Sequence, residues 1–379
     1  MKRSSVILGA VAGGVAIAAA LGAAWLMSLP AVTPKGAGPP IPQSEVDSVL
    51  AALKPPKRQR PVIAIIGVNE GTEVTDYLMP HGILSRADVA DVLAVATKPG
   101  PVKLYPALQV EPQSTTDDFD NRFPEGADYV IVPAMYRDDD PLALRWIKAQ
   151  AGKGAVIIGV CVGVTVVAEA GLLDGKRGTT HWYYVKKMLE RHPTIQYVPD
   201  RRIVADRGVV TTTGISASMP MSLTLIEAIA GRAKAEEIAQ QLGLAGWDAR
   251  HNSEAFKFTR SFATSVIGNK LAFWKHEPLS IELHPGVDEV SLALVADMWS
   301  RTYRSQASTF FAGTESLRTR GGLLIVADEK SETTPAASRV LTIDETPPAR
   351  VLDETLRSIA ARYGEPTADV VAMQLEYPR

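Results

Sequence analysis

The single cysteine of this 379-residue chain, Cys161, stands in the run Gly159-Val160-Cys161-Val162-Gly163, directly after an apolar stretch and directly before a helical pattern. Strand, glycine-flanked turn and helix are the setting in which a nucleophile is lifted above the carboxyl edge of an α/β sheet, where ligands of such sheets bind. The glycines let the backbone turn sharply. The expectation is a sulfur that is perched, exposed and partly ionised, because unpaired N–H groups at a helix start draw a thiol below its free pKa of about 8.5. The same amides would suit an oxyanion. Val160 and Val162 would line the pocket beside the sulfur with hydrocarbon. The competing reading is an inert thiol closing a core strand.

Proton transfer at that sulfur needs a partner, and two kinds stand within reach. His181, in Thr179-Thr180-His181-Trp182, lies beyond the helix that the turn opens, and an imidazole titrates near neutrality. The same residue equally suits a cap for a helix starting at Trp182. Glu73 and Asp76 stand three apart on a helix after the first strand, so both can face the sheet edge; they equally suit a solvated acidic first turn. Tyr136, in a loop after another strand, is a candidate pocket wall. The histidines at 81, 192, 251, 276 and 284 show neither HExxH nor a cysteine at zinc spacing. No metal and no cofactor are indicated.

The elements that must hold these residues alternate. Residues 61–67 (PVIAIIG), 89–97, 129–133 (YVIVP) and 155–159 (AVIIG) read as buried strands, with helices over 73–87, 141–151, 162–170, 182–191 and 217–231. Pro80 falls inside the first helix, 102–111 forms a hairpin-like excursion, and short strands follow near Ile203 and Val209. That order predicts a doubly wound parallel sheet. After residue 243 the pattern shifts, and a strand at 280–283, a helix at 288–303 and a strand at 323–327 suggest a C-terminal α/β extension over 244–379. Gly71, Ser85 and Arg86 stand 215 positions before Gly286, Ser300 and Arg301, three matches of the kind chance supplies. A true copy would set Ser291 opposite Asp76 and would contain no cysteine.

With 46% hydrophobic residues the chain can bury a large core, and 40 basic against 42 acidic residues leave no field for nucleic acid. Residues 6–27 are 22 uncharged positions, about 33 Å of helix, enough for one membrane crossing. Lys2 and Arg3 before them place the rest outside the cytoplasm. A cleaved signal peptide, with Ala23 and Ala24 near its end, is the alternative. The boundaries are therefore an anchor over 1–29, a Pro/Gly-rich linker over 30–60 with basic residues able to touch lipid headgroups, a folded domain over 61–243, and the extension.

Cys161 and His181, twenty positions apart, together with residues 169–182 (EAGLLDGKRGTTHW), resemble the ThiJ/PfpI branch of the class I glutamine amidotransferase-like superfamily. Within it the chain is most similar to the amidase-like domains of AraC-type regulators and to isonitrile hydratases. The resemblance spans residues 62–256, and 212–231 (TTGISASMPMSLTLIEAIAG) match the family's closing strand and helix. It implies a flavodoxin-like sandwich and a homodimer. It also implies that an acidic residue four positions before a proline contacts the nucleophile, which here is Asp76 before Pro80. Glutaminases of the superfamily carry a late His-x-Glu pair that this chain lacks, and Val162 stands where isonitrile hydratases carry Thr. The regulators append a helix-turn-helix module; residues 239–243 (AQQLG) mimic its turn, but residues 280–379 take the module's place.

The expected function is a membrane-anchored protein in which Cys161 acts on a small electrophile, as a hydrolase or hydro-lyase but not a glutaminase. The alternatives are a non-catalytic module that binds a ligand or senses redox state, and a scaffold for a membrane complex.

Overall fold

The computed structural model describes residues 14, 17–34, 36–311, 316–330 and 339–379. The β-branched runs form the strands they predict, and because these runs have no polar face they lie inside a sheet covered on both sides. In chain order the first unit comprises α1 (Gln43–Ala52), β1 (Val62–Gly67), α2 (Val74–Ala87), β2 (Asp91–Ala96), β3 (Ser114–Thr115), β4 (Tyr129–Val132), α3 (Pro141–Gly152), β5 (Val156–Gly159), α4 (Gly163–Glu169), α5 (Val185–Arg191), β6 (Ile203–Asp206), β7 (Val209–Thr212), α6 (Ser218–Ala230) and α7 (Arg232–Gln241). The sheet order is β6-β7-β5-β4-β1-β2-β3, parallel throughout except for the β6–β7 hairpin.

Alternation along the strands divides the core into two layers. Ile63, Ile65, Tyr129, Ile131 and Ile158 face α2 and α6, whereas Val62, Ala64, Ile66, Val130, Val132 and Ile157 face α3 and α4. The doubly wound parallel arrangement expected of the sequence is present, and β1, β4 and β5 end at one edge where the following turns gather.

The extension adds α8 (Arg260–Leu271), β8 (Glu277–Glu282), α9 (Glu289–Ser300), β9 (Ser305–Phe311), β10 (Glu329–Lys330), β11 (Arg339–Thr342), α10 (Pro348–Tyr363) and α11 (Glu365–Leu375). Its parallel sheet runs β10-β9-β8-β11. All twelve residues of α9 are buried, chiefly against α2, and the side chains of both units share one hydrophobic cluster. A further sheet joins Thr72–Glu73, Val102–Tyr105, Gln109–Glu111, Leu324–Val326 and Ser316–Arg318 across the two units.

Part of the expected membrane span lies outside the described residues. Residues 17–27 of it are helical and expose Ile17, Leu21, Trp25 and Met27. Among the described residues no helix is long and apolar enough to cross a membrane. The linker differs from the free, solvated spacer expected of it. Lys57 donates to the Glu125 and Ala127 carbonyls, Arg58 pairs with Asp128 at 2.6 Å, and Arg60 bridges Asp88 and Asp91. Those basic groups are thereby committed to the domain edge. Upstream, the Pro30 and Gly36 carbonyls accept from Arg260 and Asn252, so this stretch also lies along the fold.

Candidate functional site

Cys161 follows β5 with φ +55°, a left-handed conformation that costs a non-glycine residue of order 1 kcal/mol and that the surroundings hold in place. The flanking glycines serve a different end from the expected one. A Cβ on Gly163 would lie 2.0 Å from the Val132 carbonyl oxygen, and one on Gly159 would lie 3.0 Å from the Val164 Cα. They let α4 press against the ends of β4 and β5, while the strained dihedral falls on the cysteine itself. Two hydroxyls fix the turn: Thr212 Oγ1 accepts from the Cys161 N–H at 3.3 Å, and Thr180 Oγ1 donates to the Cys161 carbonyl at 2.8 Å.

The sulfur is buried rather than perched, with the residue 4% exposed. Burial first, then the charges of Asp76, Glu73 and Glu376, push the thiol well above its ordinary range, and Arg301 opposes them. Burial and these acids outweigh the expected lowering by a helix start, and two of the adjoining amides are spent inside the turn: Gly163 N–H donates to the Val160 carbonyl and Thr165 N–H to that of Val162. Val162 lines the cavity at the sulfur, whereas Val160 is wholly buried in the core.

At the start of α2, Glu73 caps the helix: its Oε2 accepts from the Asp76 N–H at 2.7 Å and from Thr75 Oγ1 at 2.7 Å. Asp76 is completely buried; its Oδ2 accepts from the Ala134 N–H at 3.1 Å, and its Oδ1 has no hydrogen-bond partner among the described residues. Burial, then the charge of Glu73, hold this carboxyl well above its ordinary range, so the neutral acid is favoured. Of all charged groups, Asp76 acts most strongly on the Cys161 thiol.

His181 borders the same cavity, but both ring nitrogens are engaged by backbone. Nε2 donates to the Gln374 carbonyl at 3.0 Å, and Nδ1 accepts the Tyr183 N–H at 3.3 Å as the cap of a short 3-10 turn, Trp182–Tyr184. Burial draws its pKa down to about 4. The helix predicted at Trp182 begins with that turn, and the imidazole expected to exchange protons is placed as its cap.

The cavity holds about 570 Å³. Tyr105, Tyr136, Trp182, Tyr183, Tyr184, Phe258 and Phe262 supply an aromatic wall, and Glu73, Lys270 and Arg301 supply charge. Tyr136 stacks on Tyr105 with centroids 4.4 Å apart, and both line the cavity. Two residues that the sequence did not single out for chemistry complete the site. Arg301 bonds Glu73 at 2.7 Å and Asp297 at 2.6 Å. Glu376, fully buried and raised to about 7 by that burial, accepts the Trp182 and Gly214 N–H groups.

Residues 62–228 match the profile of the DJ-1/PfpI family. The chain is 32% identical over 172 residues to the isonitrile hydratase of Pseudomonas putida, covering 44% of this chain and 72% of that one. It is 25% identical over 184 residues to the Parkinson disease protein 7 homolog of Danio rerio, covering 47% of this chain and 95% of that one. It is 28% identical over 125 residues to the HTH-type transcriptional regulator CdhR of Pseudomonas aeruginosa, where 37% of the relative is covered.

Proposed function

This chain belongs to the DJ-1/PfpI family, and on that premise we propose that Cys161 is the nucleophile of a hydrolase or hydro-lyase, with Asp76 as its acid, acting on a small carbonyl, nitrile-like or amide compound. The observation that carries the reading is the unpartnered Asp76 Oδ1, an oxygen of a fully buried acid whose charge acts on the Cys161 thiol more than any other. An orphaned buried polar atom is costly and calls for an explanation, and a bound substrate supplies one. In the first step sulfur bonds the electrophilic carbon, the π pair moves to nitrogen or oxygen, and that atom takes the Asp76 proton. The thiol proton then restores the acid. At a nitrile-like carbon, water then attacks and releases the sulfur with its proton, so the balance is the addition of water; at an amide carbon the amine first leaves with the Asp76 proton, and water then frees the acyl group from the sulfur, so the balance is hydrolysis.

The resemblance to an isonitrile hydratase sets the first compounds to try. The full chain in detergent is assayed against aldehydes, isonitriles and amides beside Cys161→Ala. Turnover lost in the variant supports the enzyme, and turnover equal in both overturns it. A ligand-binding module is the second reading. It is favoured by the engagement of both His181 nitrogens, which leaves the pocket without a free imidazole; saturable binding that Cys161→Ala retains, with no turnover, is its signature.

We further propose that residues 6–27 anchor the chain in a membrane with the folded units outside the cytoplasm, supported by the uncharged run and by the exposed Ile17, Leu21, Trp25 and Met27. Release from membranes by alkaline carbonate counts against it. No nucleic-acid partner is proposed, in keeping with the formal net charge of -2 and with residues 243–252, which follow α7 without a recognition helix.

A further inference from the structure

Two ion pairs cross between the units, and they are related. Arg86 of the first unit reaches Asp288, which caps α9, and Arg301 of the extension reaches Glu73, which caps α2. A shift of 215 positions turns Arg86 into Arg301 and Glu73 into Asp288. The same shift carries β1 onto β8, the start of α2 onto the start of α9, and β3 onto β10. It maps the pairings too. Val95 with Ser114 and Ala96 with Thr115 become Phe310 with Glu329 and Phe311 with Lys330. Val102 with Val110 and Lys103 with Gln109 become Leu317 with Ile325 and Arg318 with Leu324. Even the turn bond from Leu104 N–H to the Leu108 carbonyl reappears from Thr319 to Leu323.

The two hairpins meet through an antiparallel pairing in which Val110 lies opposite Ile325, its own counterpart. Helices α2 and α9, also counterparts, pack on each other. Equivalent elements touching equivalent elements, with reciprocal ion pairs, is the arrangement of a two-fold dimer. The extension lacks the other half of a site: Ser291 stands opposite Asp76, and α11 follows α10 where the first unit has β5 and the cysteine turn.

We infer that residues 277–363 are a second copy of the first unit's leading half, docked as an internal partner, and that it delivers Arg301 as a positioning residue of the Cys161 pocket. The role given to Arg301 rests on the reading of Cys161 above; the docking does not. Arg301 holds the free oxygen of Glu73, whose other oxygen caps the Asp76 amide, and so sets both carboxyls. Its charge also opposes the acids that raise the thiol. Arg86 makes the mirror contact with no cysteine nearby, and is the internal control.

The test uses the full chain in detergent with Arg86→Gln, Arg301→Gln and Arg301→Lys, read by melting temperature and by the pH dependence of alkylation of the sole cysteine. Arg301→Gln should lower the melting temperature by about 10 °C, since it leaves the buried Glu73 and Asp297 without their cation, and Arg86→Gln by less, since Asp288 is half-buried and keeps Arg320 at 3.5 Å. Only Arg301→Gln should move the alkylation midpoint, upward by about one pH unit, with Arg301→Lys restoring part of the shift. An equal shift in Arg86→Gln, or none in Arg301→Gln, overturns the positioning role. A melting temperature that rises with protein concentration would show the pairs joining separate chains and overturn the internal partner. None of these readings needs a substrate, so they stand or fall apart from turnover.

Discussion

Glu376 accepts the Trp182 N–H at 2.6 Å through Oε1 while its Oε2 takes the Gly214 N–H, so one buried carboxyl binds the loop that carries His181 to the turn after β7. Burial raises this carboxyl to about 7. A folded-state value above the unfolded one favours the protonated fold, so its stabilisation is complete below about pH 4.5 and is lost as pH rises through 7. The difference corresponds to about 3 kcal/mol. The melting temperature of the wild type should therefore decline across that interval, and Glu376→Gln should flatten the decline. An unchanged slope in the variant would show that this carboxyl does not titrate there.

For His181 the sign is opposite. Its pKa is drawn down to about 4 by burial, so the neutral ring is favoured in the fold; the stabilisation is present above about pH 6.5 and lost as pH falls toward 4. Its ring proton resonances should not titrate near 6.5, and turnover should show no limb there. A limb near 6.5 that His181→Gln removes would restore the imidazole to proton transfer.

The doubly wound sheet was legible because β1, β2, β4 and β5 are β-branched runs separated by helical patterns, and the turn at Cys161 because glycines bracket it. The state of the sulfur was not legible. A helix start is a local feature, whereas Asp76, Glu73 and Glu376 reach the thiol from remote segments. Helices α7, α8, α10 and α11 went unpredicted although α10 buries Val351, Leu352, Leu356 and Ile359 along one helical face. Aromatic and charged residues before it masked the period. The offset of 215 is read from Gly71, Ser85 and Arg86, too few to stand out from chance, since the second copy keeps its register through backbone pairings more than through side chains.

Asp76→Asn preserves shape and can still accept from the Ala134 N–H, but carries no acidic proton. Turnover should fall at least about 100-fold, the usual contribution of a placed acid. The thiol should at the same time alkylate at lower pH, because the strongest of the charges raising it is gone. Loss of structure would also expose the thiol and lower its titration, so the two effects count for Asp76 only beside an unchanged melting temperature. A variant that keeps full turnover would remove Asp76 from the chemistry.

Gly163→Ala tests whether the glycines beside Cys161 are there for space or for turning. Gly163 begins α4 with an ordinary helical backbone, so a methyl there meets no dihedral penalty, and turning freedom alone predicts a neutral or slightly stabilising change. The added Cβ would, however, sit 2.0 Å from the Val132 carbonyl oxygen and 2.6 Å from Pro133 backbone atoms, which no side-chain rotation can relieve. The helix must then back away from β4, carrying the Cys161 turn with it, at a cost of about 3 kcal/mol or more. The expected result is a melting temperature lower by several degrees together with faster alkylation of Cys161, as the turn opens toward solvent. Wild-type stability with unchanged alkylation would mean that α4 does not press on the strand ends as closely as the geometry requires.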